Sequence, residues 1–265
     1  MIRSKNIFQQ LYAKIKQPLD SRRFRQALQE KTPVFVFQVG KVGSKSIIHS
    51  LSHYYDGPLV HAHQFKPDHY FWKTRELYQY YKQGGKMDII TLVREPVSRN
   101  ISSLFHNFED QTGAKVLSTE SEDLALTDLV QTMTALPSKK RTAVVTWLDR
   151  NIKHFFGINV FDYTFPETGW MTYEKNKYRV LLLKAEIKDS DKEKAIAQFL
   201  NLPAFKLENT NVGSEKAYAD LYNHFKNKAR FPKVYLDELI DTPYFRHFYS
   251  AEDEQRVRAK WQADD

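Results

Sequence analysis

The segment QVGKVGSKS (38–46) has the composition of an anion-binding loop. It follows the apolar run PVFVFQV (33–39), which predicts a buried strand, and it precedes IIHSLSHYY, which can begin a helix. Small residues let backbone N–H groups approach an anion, and a helix N-terminus adds a favourable dipole. The segment is not a Walker A motif, because Val39 and Ser44 stand where that motif requires glycine. We therefore expect an anion-binding loop, with an ordinary glycine-containing turn as the alternative.

A second candidate for anion contact is the stretch TLVREPVSRNISSLF. The run DIITLV (88–93) predicts a third buried strand, with Arg94 at its end and Ser102 eight residues later on the following helix. An arginine offers a charged fork and a serine a hydroxyl group. The two side chains can therefore converge on one anion.

Two histidines alternate along the predicted strand LVHAH (59–63), so His61 and His63 share one face of it. Histidine has an unperturbed pKa of about 6.5, which suits it to accept a proton near neutral pH. A structural hydrogen-bonded pair is the alternative. His49 and His53 on the preceding helix raise the option of a four-histidine zinc site. Because no HExxH motif occurs and this helix and strand need not converge, we expect no metal and assign His49 and His53 to surface or packing roles.

The alternation of strands and helices predicts an α/β fold with a mainly parallel sheet covered on both faces. The later elements are a helix over 67–81, helical segments over 120–157 divided at Pro137, a strand over 178–187, a helix that a Ser190–Glu193 capping box begins and Leu200 ends, and a final helix that Ser250 and Asp253 cap.

Composition narrows the class of protein. The 265 residues allow one or two domains at about 150 residues each. The absence of cysteine excludes disulfides, thiolate zinc sites and a cysteine nucleophile. No apolar run approaches the roughly 20 residues of a membrane span, and the start has no secretory h-region. We expect a cytoplasmic protein. Its net charge of +8 suits an anionic small ligand or polymer, and we expect no nucleic-acid partner.

The first thirty residues form a separate basic segment, with seven Lys or Arg and two acidic residues. Apolar side chains from Ile7 to Ile15 recur at helical spacing and predict an amphipathic helix. This helix packs on the domain or, as the alternative, lies on a membrane surface through its lysine-rich face. We place a single domain over 31–265, with a helical part over 206–265.

Together, the loop, the Arg94/Ser102 pair and the histidine pair resemble the sulfotransferases that use 3′-phosphoadenosine-5′-phosphosulfate (PAPS). The stretch VREP-x-x-R is similar to the V-R-[DE]-P-x-x-R of carbohydrate sulfotransferases. The layout through LLLKAEI and the aromatic helical tail also resembles a bacterial sulfotransferase-like family linked to capsular polysaccharide synthesis. The resemblance covers residues 32–262. Lys45 departs from it, since the family usually has Ser or Thr there.

The resemblance implies a P-loop-like three-layer α/β/α fold and metal-free transfer of a sulfuryl group from PAPS to a hydroxyl of a carbohydrate or polysaccharide. His63 would be the base, His61 would orient it, and Lys41 would stabilise the leaving group. The residues implied to hold PAPS are Lys41, Val42, Gly43, Ser44, Lys45, Ser46, Ile47, Arg94, Ser102 and Lys216. The alternatives are a P-loop-like small-molecule kinase that uses ATP and magnesium, and a non-catalytic nucleotide- or saccharide-binding relative.

Other side chains are weaker candidates. Glu186 ends the last predicted strand and is expected to position neighbouring loops. Three aromatic residues could stack on a sugar ring or pack in the core: Tyr163, Trp170 and Tyr173. Six residues form either a solvated face or a groove for an anionic saccharide: Lys139, Lys140, Arg141, Arg150, Lys153 and His154.

Overall fold

The computed structural model describes residues 16–112, 122–208 and 219–264. These residues form an α/β structure around one five-stranded sheet with the strand order β2-β1-β3-β5-β4. The strands are β1 (Val34–Phe37), β2 (Leu59–Ala62), β3 (Met87–Val93), β4 (Trp170–Lys175) and β5 (Tyr178–Lys184).

Four of the five strands are parallel, as the alternating pattern predicts. Strands β1 and β3 are buried along their whole length, which explains why they read as continuous apolar runs. All seven residues of β3 pair with β5, from Met87 opposite Tyr178 to Val93 opposite Lys184. The parallel core therefore brings the carboxyl ends of β1, β2, β3 and β5 to one edge.

Strand β4 was not predicted from the sequence. It pairs antiparallel with β5 through a two-residue turn, in which Asn176 adopts a left-handed conformation with φ 55°. Pro166 and Gly169 precede it, and such residues are typical of loops. As an edge strand with one main partner, it buries only Tyr173 fully.

Twelve α-helices surround the sheet in the described residues. They are α1 (Gln17–Glu30), α2 (Ser44–Tyr54), α3 (Trp72–Lys82), α4 (Pro96–Thr112), α5 (Glu122–Ala135), α6 (Ser138–Arg141), α7 (His154–Phe156), α8 (Asp189–Leu200), α9 (Ala219–Lys228), α10 (Lys233–Ile240), α11 (Pro243–Phe248) and α12 (Ala251–Trp261). None of the described helices has the length and apolar character that a membrane span requires.

Helix α1 packs against α3. Phe24 meets Trp72 edge to face at 5.5 Å, and Arg25 pairs with Glu76 at 2.9 Å. The apolar residues 7–15, which predict an amphipathic helix, lie outside the described residues.

Two predicted helix starts differ in the structure. The predicted helix over 67–81 begins only at Trp72, because residues 64–71 form a loop. The predicted Ser190–Glu193 capping box is wrong: α8 starts at Asp189 without a side-chain cap, and Glu193 instead accepts the backbone N–H of Leu207 at 2.9 Å. The box at Ser250 and Asp253 is confirmed, with both reciprocal hydrogen bonds present.

Candidate active site at the carboxyl edge of the sheet

The predicted functional residues gather where the parallel strands end. Strand β1 lies between β2 and β3, so the order in which strands are added to the sheet reverses direction at β1. In open α/β sheets such a switch point opens a crevice outside the carboxyl ends of the strands. The loop 38–43, His63, and Arg94 follow β1, β2 and β3 at this edge.

The loop after β1 has an unusual backbone. Lys41 and Gly43 both have positive φ angles, of 74° and 95°. Gly43 is the N-cap of α2 and offers no side chain to its first N–H groups, and a Cβ atom there would meet nothing within 4 Å. Alternating left-handed residues before a helix turn backbone N–H groups toward one side, which creates a concavity that suits an anion.

Two arginines from the β3–α4 stretch hold this loop. Arg94 donates from Nη1 to the carbonyl oxygen of Lys41 at 2.8 Å, and Arg99 donates from Nε to the carbonyl oxygen of Gly40 at 2.9 Å. The two guanidinium groups therefore hold the loop through its carbonyl oxygens. This arrangement places two permanent positive charges beside the loop.

The backbone around Arg94 is fixed from two other elements. The Tyr244 hydroxyl accepts the N–H of Arg94 at 3.0 Å and donates to its carbonyl oxygen at 2.9 Å. The Glu186 carboxylate accepts the N–H of Glu95 at 2.7 Å, so Glu186 does position a neighbouring loop as expected. Glu95 is buried and accepts the N–H of Ser98 at 2.9 Å, which caps α4.

The imidazole of His61 already has hydrogen-bond partners within the protein. Its Nε2 lies 3.0 Å from Ser44 Oγ and 3.1 Å from the amide nitrogen of the buried Gln38. Burial, with the nearby His63 and Lys45, lowers the pKa of His61 from 6.5 to about 4. His61 is therefore neutral near neutral pH, with Nε2 engaged by the residue that begins α2.

His63 is arranged differently. Its Nδ1 lies 2.9 Å from the carbonyl oxygen of Gln38, and a carbonyl only accepts, so Nδ1 carries the proton. The other nitrogen, Nε2, faces the loop, 3.7 Å from where a Cβ on Gly40 would lie. Desolvation lowers the pKa of His63, the Gln38 carbonyl opposes this, and Arg99 and Lys41 lower it further. The neutral ring thus presents an unprotonated nitrogen to the loop.

A basic cavity adjoins this site through Arg99. It has a volume of about 480 Å³ and lies between α4 and the segment that follows α5. Burial lowers the pKa of Arg99 to about 10, and the side chain stays charged at neutral pH. Five cationic residues line the cavity: Arg99, Lys139, Lys140, Arg141 and Arg150. Lys153 and His154, which the sequence grouped with them, do not line it.

The structure joins most of the predicted site residues but not all of them. Ser102 lies half-buried on α4 and makes no hydrogen bond to Arg94, whose guanidinium turns to the loop instead. Lys216 lies outside the described residues. The remaining predicted positions in the loop are Val42 and Ile47, which are buried, Lys45, which is exposed, and Ser46, which is half-buried.

Three residues that sequence reasoning did not place in the site hold it together. Arg99 could have been found, because it is the second arginine of the VREP-x-x-R stretch. Gln38 precedes the glycine of the loop, but only the structure shows that it contacts both histidines. Tyr244 is 150 residues from Arg94 along the chain, and no local signal connects them.

The structure also shows where the histidines of the possible metal site and one candidate aromatic residue lie. Among the described residues, the four histidines do not form one cluster: His61 and His63 lie 4.9 Å apart, whereas His49 and His53 meet Glu208. Tyr173 is buried, so it packs in the core and offers no sugar platform.

Comparisons with known proteins give one finding. Residues 130–250 match the model of the NKWYS family, which is described as putative capsular polysaccharide synthesis proteins. The match covers less than half of the chain, and it includes four of the five cations of the basic cavity. No curated protein and no solved structure matches the chain.

Proposed function

We propose that the protein is a PAPS-dependent sulfotransferase with a P-loop-like site, which transfers a sulfuryl group to a hydroxyl of an acidic saccharide in capsular polysaccharide synthesis. The observation that carries the proposal is the position of His63, whose unprotonated Nε2 faces a cation-flanked loop at a helix N-terminus. A base and an anion cradle side by side are what sulfuryl transfer to a hydroxyl requires.

The residues present fit the phosphosulfate end of PAPS. Gly43 gives the anion access to the first N–H groups of α2, and Lys41 and Lys45 add positive charge on the same loop. PAPS supplies an activated sulfuryl group and leaves as adenosine 3′,5′-bisphosphate. Lys41, whose carbonyl is held by Arg94, would stabilise the negative charge that develops on the leaving phosphate.

His63 has the properties of the base. The carbonyl of Gln38 fixes its tautomer, so the proton of the acceptor hydroxyl goes to Nε2 and the ring becomes an imidazolium ion. His61 is a positioning residue: Ser44 and Gln38 occupy its Nε2, and through them it connects β2 to both ends of the loop. The hydroxyl oxygen, once deprotonated, attacks sulfur in line with the bond to the leaving phosphate.

The acceptor would lie toward the basic cavity. Arg99 contacts the loop at Gly40 and also lines the cavity, so an acceptor bound there would lie against the same arginine that holds the loop. Arg141 pairs with Glu238 at 2.6 Å, and the other four cations of the cavity suit a polymer that carries carboxylate, phosphate or sulfate groups. The family match over this region supports a capsular polysaccharide as the source of that polymer.

Calorimetric titration tests the donor assignment. Adenosine 3′,5′-bisphosphate, AMP and ATP with magnesium are titrated into the wild type, Arg94→Ala, and Arg22→Ala as an exposed control on α1. We expect the bisphosphate to bind the wild type most tightly. The family resemblance gives Arg94 the 3′-phosphate as a partner, in addition to the Lys41 carbonyl that it holds. Arg94→Ala should therefore lower bisphosphate affinity by roughly 10- to 100-fold, the loss of a charge-assisted hydrogen bond, and should change AMP binding less.

Two outcomes would contradict this assignment. Equal losses for the bisphosphate and AMP would show that Arg94 supports the loop and does not read the 3′-phosphate. Tighter binding of ATP with magnesium than of the bisphosphate would favour the kinase.

A further inference from the structure

Three metal-ligating side chains meet on the surface of α2, outside the site described above. His49 Nε2 lies 3.0 Å from one carboxylate oxygen of Glu208, and His53 Nδ1 lies 3.2 Å from the other. The ligand atoms of the three residues all lie within 4.8 Å of one another. All three side chains are exposed, so an ion can reach them from solvent.

The local structure holds the three ligands in place. His49 and His53 are four residues apart on a helix, so both rings project from one face, with ring centres 4.9 Å apart. Glu208 is fixed by its backbone N–H, which donates to the buried Ser50 Oγ at 2.8 Å. The preceding N–H, that of Leu207, donates to Glu193 at 2.9 Å. The carboxylate is thus anchored beside the helix by its own main chain.

We propose that His49, His53 and Glu208 form a zinc-binding site that joins α2 to the segment after α8. Two imidazole nitrogens and one carboxylate are a common three-ligand set for zinc, with water completing a tetrahedral shell. Zinc–ligand bonds of about 2.0–2.2 Å place tetrahedral donor atoms roughly 3.3–3.6 Å apart. The two histidine nitrogens lie 3.0 and 3.2 Å from opposite oxygens of Glu208, and one ligand atom from each residue lies within 4.8 Å of the others, so small side-chain rotations would complete the shell.

A pair of surface ion pairs is the competing explanation for the same contacts. Exposed ion pairs contribute little to stability, at most about 1 kcal/mol each. Such pairs bind no metal with defined stoichiometry. A zinc site, in contrast, binds one ion and loses affinity when any one of its three ligands is removed.

Metal titration separates the two explanations. Metal-free full-length protein is titrated with Zn²⁺ by calorimetry and with Co²⁺ by visible absorption, which reports tetrahedral coordination. The variants are His49→Ala, His53→Ala and Glu208→Gln, and the matched control is His154→Ala, an exposed histidine outside the cluster. We expect one Zn²⁺ per wild-type chain and an affinity loss of roughly 100-fold or more in each cluster variant, with no change in the control.

Binding at the other histidine pair is tested with the double variant His61→Ala/His63→Ala, which should still bind one Zn²⁺. The inference is overturned if the wild type binds no stoichiometric Zn²⁺, or if the cluster variants bind it as tightly as the wild type. Loss of binding in the double variant would place the ion at His61 and His63 and would also overturn it. None of these outcomes bears on PAPS binding.

Discussion

Among single side chains, the two histidines at the end of β2 show how neighbouring residues of one type acquire different environments. The H-x-H spacing predicts that His61 and His63 share a face, and the ring centres do lie 4.9 Å apart. The spacing cannot show which ring is available, because that depends on Gln38 and Ser44, which come from another strand and helix. His63 keeps its Nε2 facing the loop, and this difference makes it the proposed base.

Arg99→Gln should change the pH dependence of the reaction. The pKa of His63 lies below its ordinary value partly because Arg99 is nearby. Removing that charge favours the imidazolium form and raises the pKa, so the acidic limb of kcat/KM should move to higher pH. Initial rates across the acidic range measure this shift, and Lys153→Gln, outside the cavity lining, serves as the control. An unmoved limb would show that His63 does not set it.

At the scale of elements, the site depends on contacts between parts of the chain that are far apart. Helix α11 contributes Tyr244, whose one hydroxyl bonds to both backbone groups of Arg94 at the end of β3. The carboxylate of Glu186, two residues beyond β5, holds the N–H of Glu95. These contacts connect the helical C-terminal part to the sheet edge.

Tyr244→Phe should destabilise the fold by about 1–3 kcal/mol, because it leaves the N–H and carbonyl groups of Arg94 without their partner in a buried place. Tyr173→Phe is the matched control, since its hydroxyl is buried and has no hydrogen-bond partner in the described part of the chain. Denaturant unfolding of both variants measures the difference. Equal losses in the free energy of unfolding for the two variants would mean that the Tyr244 hydroxyl contributes no more stability than the Tyr173 hydroxyl.

The strands were predictable to different degrees for physical reasons. Strands β1 and β3 are buried on both faces and therefore appear as apolar runs. Strand β4 is mixed in polarity because it lies at the edge, and the Asn176 turn that joins it to β5 lacks the glycine of a typical hairpin signal. The capping box at Ser190 does not form, because Glu193 bonds to the chain after α8. Asp253, in contrast, accepts the N–H of Ser250 even though it also pairs with Arg256 and Lys184.

For the whole molecule, charge distribution is the main clue to the acceptor. The sequence indicates a cationic face over 139–154, but only the packing of α4 against this region adds Arg99, which lines the cavity and also bonds to the loop at Gly40. The excess positive charge of +8 is thereby concentrated in part beside the proposed base. Under the proposed function, this cavity would attract an acidic acceptor.

Charge reversal in the cavity should weaken binding of the acceptor and leave binding of the donor PAPS unchanged. For Lys139→Glu/Lys140→Glu we expect KM for an acidic polysaccharide to rise by about tenfold at low salt, with a smaller effect at high salt. KM for PAPS should stay the same, because both lysines are exposed and lie on α6, away from the loop. Lys86→Glu/Lys188→Glu is the control with the same charge change at exposed positions. An equal rise in this KM for the control variant would show that the effect comes from the change in net charge and not from the cavity.

The most direct test of the account is transfer of radiolabelled sulfate from PAPS to an acidic polysaccharide, at saturating PAPS, by the wild type, His63→Ala and His61→Ala. We expect transfer by the wild type and a decrease in kcat of about 10²- to 10⁴-fold for His63→Ala, the usual contribution of a positioned base. The decrease for His61→Ala should be smaller. Absence of transfer by the folded wild type across acidic acceptors would contradict the proposed reaction, and full activity of His63→Ala would contradict the proposed base.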